Sequence, residues 1–277
     1  MSVLAPGQAR LVIVGATGMV GGYALRYALN HAAVGSVTAI GRRTVGISHP
    51  KLKEVLHRDF ADCSALTDVL SAQDAAAFCL GAYTGAVPDK ELRKVTVDYP
   101  IEFARVLRSS SPGAAFSFLS GSGADPSGRS RLAFARYKGE AEKALLAAGF
   151  PCVYIFRPAY IYPVEPRKEP NFSYRLLRRI YPAFRMLFPN QVIRADDLAR
   201  AMVDVIVRGT GGHRGPILEN RDIQAMLESL QPDVHAKSAT TAIKALVAGS
   251  RFKASGCGNL GAARRESVVA RSASEGR

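Results

Sequence analysis

Gly15, Gly18 and Gly21 stand in "VIVGATGMVGG", directly after the apolar run "RLVIVG" (10–15). Glycine every third residue suits a chain that turns sharply out of a strand, bares its backbone N–H groups and lets the next helix pack close to that strand. A helix opening there offers unpaired N–H groups and positive potential, an arrangement that takes phosphate. The second apolar run closes with "AIGRRT", where Arg42 and Arg43 are adjacent and no acid is present. An Asp or Glu at that place accepts from a ribose 2′-hydroxyl, whereas paired guanidinium groups suit a 2′-phosphate. The chemistry expected is that of a dinucleotide cradle taking NADP in preference to NAD. The plainer readings are an empty glycine turn and a solvated basic loop.

Two further stretches extend the cradle. Asp59 with Phe60 follows a third strand, where an adenine edge would lie, and "CLGAYTG" follows a fourth. Gly81 and Ala82 in the latter are small enough for backbone to pass beside a ribose.

These residues need elements that bring them to one edge. "RLVIVG", "SVTAIG" (36–41), "DAAAFCLG" (74–81), "GAAFSFLS" (113–120) and "PCVYIFRP" (151–158) are continuous apolar runs, with a weaker one at "KEVLHRDF" (53–60). Strands without polar alternation are covered on both faces, as in a parallel sheet between helices. Leu92, Val95, Tyr99, Phe103 and Val106 mark one helix, kinked or shortened by Pro100, and Ala141, Ala144, Leu145 and Ala148 mark another that ends at Gly149. "DDLARAMVDVIV" (196–207) is a third, capped by Asp196 or Asp197, and "GPILENRDIQAML" reads as a last strand and short helix. The fold class expected is α/β: a doubly wound parallel sheet, Rossmann-like, with a small C-terminal substrate region. Residues 8–228 form that domain, with 158–228 as its substrate or lid region, and 229–277 form a disordered basic tail.

Composition narrows the function classes. The 277 residues are 48% hydrophobic and 22% charged, enough for a packed core. No run reaches the ~20 apolar residues of a membrane span. "MSVLAPGQAR" has no basic region leading into an apolar stretch. A soluble, cytoplasmic protein is expected, with four reduced cysteines and no metal site, because neither the cysteines nor the five histidines have ligand spacing. The net charge of +14 raises nucleic-acid binding, but the tail holds eight Lys/Arg against three Asp/Glu and no nucleic-acid motif accompanies it. No specific nucleic-acid partner is expected.

"GATGMVGG", "SVTAIGRR", "FCLGAYTG", "FLSGSGAD", "YKGEAEKAL", "VYIFRPAYIY" and "ILENRDIQAM" together resemble the atypical short-chain dehydrogenases/reductases, in particular the Tat-interacting-protein-type branch. The pieces occur in the family's order over residues 10–228. The resemblance implies NADP(H) binding through Gly15, Thr17, Gly18, Met19 and Val20, with Gly21 closing the loop. It also implies contacts from Arg42, Arg43, Asp59, Phe60, Leu80, Gly81 and Lys138, with Pro158 and Ala159 beside the nicotinamide. It carries the cofactor better than the reaction; an oxidoreductase acting on a small carbonyl substrate is implied.

In that superfamily a tyrosine relays the proton, a lysine four residues later lowers its pKa and holds the ribose, and a serine orients the carbonyl. Here "LAFARYKGEAE" (132–142) keeps Lys138 but has Phe134 four residues before it, and Tyr137 is its immediate neighbour. Residues one apart on a helix lie about 100° around it, so Tyr137 should face elsewhere. Three readings follow. Lys138 holds the ribose and the protein is a non-catalytic sensor or scaffold; Tyr83, Tyr160, Tyr162 or a water replaces the missing hydroxyl; or a helix distortion turns Tyr137 inward. "LSGS" leaves both Ser120 and Ser122 as candidates for the serine. The stretch 172–194 carries five arginines among aromatic residues. It reads as a substrate lid, as a peripheral membrane or protein contact, or as a helix packed on the core.

Overall fold

The structure is a computed structural model and describes residues 8–82, 85–165, 189–210, 212–213 and 215–230. Residues 231–277 of the expected tail, and residues 172–188 of the basic aromatic stretch, lie outside the described residues; Ser229, expected in the tail, ends the last helix instead.

The chain runs β1 (Ala9–Val14), α1 (Met19–Asn30), β2 (Val34–Gly41), β3 (Leu52–Leu56) and β4 (Ala75–Phe78). It continues through α2 (Asp89–Arg93), a π-helical turn (Lys94–Asp98), α3 (Tyr99–Ser110), β5 (Ala115–Leu119), α4 (Ala133–Ala147) and β6 (Cys152–Arg157). Then come β7 (Tyr160–Tyr162), β8 (Val192–Arg194), α5 (Ala195–Arg208), β9 (Ile217–Glu219) and α6 (Asn220–Ser229). Seven strands form one sheet in the order β3-β2-β1-β4-β5-β6-β9, and every neighbouring pair is parallel. The expected doubly wound sheet is therefore present, and its order reverses between β1 and β4. A crevice opens at such a switch point, beyond the carboxyl ends of the strands.

The continuous apolar runs have the anticipated cause. Leu11 and Ile13 of β1 enter a core shared with Ala24, Leu25, Leu198 and Met202 from α1 and α5. Val12 and Val14 enter the opposite core with Phe78, Phe103, Phe116 and Phe118. Each face of the strand meets a helical layer, so neither face is polar.

Pro100 restricts the regular helix as expected: a π-helical turn precedes α3, closed by Tyr99 N–H donating to Lys94 O, and Pro100 falls in the first turn of α3, where a missing N–H is tolerated. Two departures from the sequence reading have local reasons. Neither Asp196 nor Asp197 caps α5. Its N-cap is Arg194, and both acids lie in the first turn, where the Arg194 guanidinium donates to Asp196 at 2.7 Å. Finally, β7 and β8 pair in parallel as a small separate sheet within what reads as irregular chain.

Candidate functional site

β1 leaves the sheet at Gly15, whose φ is +84°. A Cβ there would lie 2.8 Å from the backbone nitrogen of Leu80, so the first glycine is required by the approach of the segment after β4 as well as by the turn. Gly18 N–H donates to Gly15 O at 2.8 Å, and Gly22 N–H donates to Gly18 O at 3.0 Å. The amides between them point out of the open end of α1. Gly21 fixes how close the helix lies: its Cβ would fall 2.3 Å from Gly15 O.

Beside this turn lies a cavity of about 480 Å³. Ala16, Thr17, Gly18 and Met19 form its floor, and Arg43, Thr44 and Val45 after β2 form one wall. Gly22, Tyr23 and Arg26 of α1 face them, with Pro163, Val164 and Glu165 beyond β7 at the rim. Met19, Gly22, Tyr23 and Arg26 recur at helical spacing, which is why one face of α1 presents all four. Arg26 Nη1 donates to Glu165 at 2.9 Å, and its guanidinium lies 5.9 Å from the Tyr23 ring centroid.

The expected cofactor residues divide accordingly. Thr17, Gly18, Met19 and Arg43 line the cavity, whereas the exposed Arg42 does not. Val20 and Gly21 are buried under the turn, so Val20 has only its backbone to offer a ligand. The Phe60 ring is in the core, edge-on to His57 and Phe78, so this residue too has only its backbone to offer an adenine. Asp59 accepts from Ala61 N–H at 3.1 Å and meets Lys94 at 3.5 Å. The turn amide holds its carboxyl below the usual range. Leu80 adjoins the Gly15 turn, and Gly81 follows it in the chain. Tyr23, Arg26 and the Pro163–Glu165 edge were not anticipated. The helical stripe on α1 was a usable signal for the first two, while nothing local marks the third.

Across the switch point, the ends of β4, β5 and β6 carry the second group. Lys138 is buried, 6% exposed, and its ammonium donates to Leu119 O at 2.8 Å, 4.7 Å from the Phe118 ring centroid. Burial brings its pKa down to about 8, against the opposing pull of Glu142 and Cys79. Burial pushes the Cys79 thiol up to about 12. Phe134 lies on the same face of α4, 6.0 Å from the Lys138 ammonium. Tyr137 faces away and donates to Asp89 at 2.7 Å, so the helix is not distorted to bring it inward.

The two serines separate clearly. Ser120 is buried and its hydroxyl donates to Glu142 in a very short contact. Glu142, fully buried, accepts from Arg157 Nη2 at 2.5 Å, and Arg157 also donates to Glu219 at 2.9 Å. Ser120 is thus part of a buried ionic network. Ser122 is exposed; its N–H donates to Pro158 O at 2.9 Å, and the neighbouring Ala159 N–H donates to Asn220 at 3.3 Å. Tyr160 and Tyr162 follow on β7, two residues apart and so on one face. Tyr83 lies outside the described residues.

Comparison with known proteins agrees with this architecture. The model of the NAD dependent epimerase/dehydratase family matches residues 11–129. The protein fmp52, mitochondrial, of Aspergillus clavatus is 30% identical over 218 residues, covering 74% of this chain and 90% of its own length. The protein of the same name from Emericella nidulans is 31% identical over 162 residues, covering 56% of this chain and 67% of its own. Among solved structures, the Bordetella bronchiseptica enzyme WbmH, in complex with NAD+, superposes with a TM-score of 0.57 at 16% identity, covering 76% of this chain and 75% of that one. The mitochondrial names of the relatives overturn the cytoplasmic expectation, which had rested only on the absence of a secretory pattern. On this Rossmann-like fold and these relatives, the chain belongs to the family of the mitochondrial fmp52 proteins.

Proposed function

We propose that this chain is an NADP(H)-binding protein of the mitochondrion that holds its cofactor without a tyrosine-relayed reaction. The observation that carries the reading is the cavity at the open end of α1, with Arg43 on its wall and no acid at the end of β2. The residues present fit a dinucleotide. Gly18 lines the cavity without a side chain at the open end of α1, where backbone N–H groups favour phosphate. Thr17 and Arg43 would hold the 2′-phosphate, Arg43 through charge-assisted bonds. Lys138 would meet the ribose hydroxyls and Pro158 and Ala159 would border the nicotinamide, as the resemblance to the short-chain dehydrogenases implies.

When bound, such a cofactor supplies hydride. Of the described residues around Lys138 on α4 and after β5, none is placed to relay a proton. Phe134 has no proton to give, the Tyr137 hydroxyl is held by Asp89, and Ser120 is committed to Glu142. The mitochondrial placement rests on the names of the relatives.

A second reading, a reductase of small carbonyl compounds, is favoured by one observation: Ser122 is exposed and its backbone N–H is bonded to Pro158 O, which leaves a serine hydroxyl uncommitted to the Glu142 network. Small-molecule binding there is common to both readings. NADPH consumption with a panel of aldehydes and ketones separates them, because only the reductase turns over. For the cofactor itself, Arg43→Glu is expected to weaken NADPH by tenfold or more and NADH by less than threefold. Equal losses would remove the 2′-phosphate assignment.

A further inference from the structure

The wall of the cavity holds an ion pair that the cofactor reading does not use. Arg26, two turns into α1, donates to Glu165 at 2.9 Å, and both partners line the same space as Thr17 and Arg43. The two residues are 139 apart in the chain, so the bond ties the segment after β7 to the first helix. We propose that Arg26 is a second 2′-phosphate ligand and that Glu165 is its place-holder, a carboxylate that occupies the guanidinium until the phosphate of NADP(H) displaces it. This proposal rests on the cofactor reading above and adds its selectivity device.

Four features support it. Arg26 shares one helical face with Met19, Gly22 and Tyr23, all of which line the cavity that Arg43 also lines. Second, the pair is exposed, 59% for Arg26 and 61% for Glu165. An ion pair in water at that exposure contributes little and exchanges readily for a stronger partner. A phosphate dianion is such a partner, because a guanidinium meets two of its oxygens with charge-assisted bonds. Third, Glu165 brings a negative charge to a wall otherwise fitted for an anion. Its influence reaches Tyr23, whose pKa is raised by burial and then by the Glu165 charge. With the carboxylate in place, an incoming phosphate meets repulsion as well as a busy guanidinium. Fourth, the ribose hydroxyl of NADH has neither the charge nor the reach to displace it, so the device acts on one cofactor only.

The test uses the full chain and calorimetric titration with NADPH and NADH. Glu165→Gln is expected to tighten NADPH by about threefold to tenfold and to move NADH by less than twofold. Arg26→Gln is expected to weaken NADPH by about tenfold, again with NADH nearly unchanged. In the double variant the gain from Glu165→Gln should vanish, because no guanidinium remains to be released. 2′,5′-ADP should reproduce the NADPH pattern and 5′-AMP the NADH pattern. Equal changes for both cofactors, no tightening with Glu165→Gln, or a gain that persists without Arg26 would each overturn the proposal. If wild-type protein bound neither dinucleotide, the cofactor reading itself would fail. That outcome is distinct from NADPH binding that is indifferent to these two residues.

Discussion

The ring of Phe134 packs against Gly121: a Cβ at that glycine would lie 2.9 Å from Phe134 Cζ. Gly121 lies between Ser120 and Ser122 in the chain, and the ring shares the face of α4 that carries Lys138. Restoring the hydroxyl alone therefore does not rebuild a proton relay, since Ser120 is already bonded to Glu142. Phe134→Tyr is expected to leave NADPH affinity within about twofold and NADPH consumption at background with aldehydes and ketones. A tenfold or larger gain in consumption would mean that the phenylalanine is the sole missing part.

Gly139 is required by the loop that carries Ser122. A Cβ there would fall 2.1 Å from both the carbonyl carbon and oxygen of Asp125 and 2.4 Å from the nitrogen of Pro126. All are backbone atoms that cannot rotate away. Gly139→Ala should cost ~1–3 kcal/mol in urea unfolding, the range for overpacking a tight contact. A cost below about 0.5 kcal/mol would show that the loop shifts without resistance.

Glu142 and Arg157 form the buried ion pair beneath the site, 1% and 13% exposed. Removing the Glu142 carboxylate takes away the acceptor of the Ser120 hydroxyl and leaves the largely buried Arg157 guanidinium only the half-exposed Glu219, an expensive loss for an ion pair out of water. Glu142→Ala should lose ~3–5 kcal/mol of unfolding free energy. Ser122→Ala, an exposed change, should stay within about 0.5 kcal/mol of wild type. Similar values for the two would contradict the network.

The buried Lys138 makes stability depend on pH. Its folded pKa, about 8, lies below the ordinary lysine value of 10.5. Between the two the unfolded chain holds the proton that the folded chain has released, so stability rises with pH. The slope from this group is at most ~1.4 kcal/mol per pH unit. It flattens above the unfolded value and disappears as pH falls through the folded one. The stability difference between wild type and Lys138→Met, followed by urea unfolding from pH 7 to pH 10, should climb in favour of wild type above about pH 8. A flat difference would place the ammonium in water.

Much of this was legible in the sequence, for identifiable reasons. β1, β2, β4, β5 and β6 are covered on both faces, so their apolar runs are continuous, and the glycine turn has a spacing that few other structures need. β7 and β8 were not legible because three-residue strands carry too little pattern, and Pro163 and Pro189 flank them. Phe60 follows the edge strand β3 and precedes a turn, which reads like a ligand contact, but the packing of Phe78 and Tyr99 around it is a tertiary fact. "LSGS" could not rank its serines, because Glu142 decides between them from 22 residues away. Of the two arginines after β2, only their side-chain directions distinguish Arg43 from Arg42.

The central claim is that a phosphorylated nicotinamide dinucleotide docks at the open end of α1. Titration calorimetry of the full wild-type chain with NADPH and NADH side by side tests it most directly. The account predicts saturable heat for both, with NADPH at least tenfold tighter; no heat with either, or NADH equal to or tighter than NADPH, would contradict it.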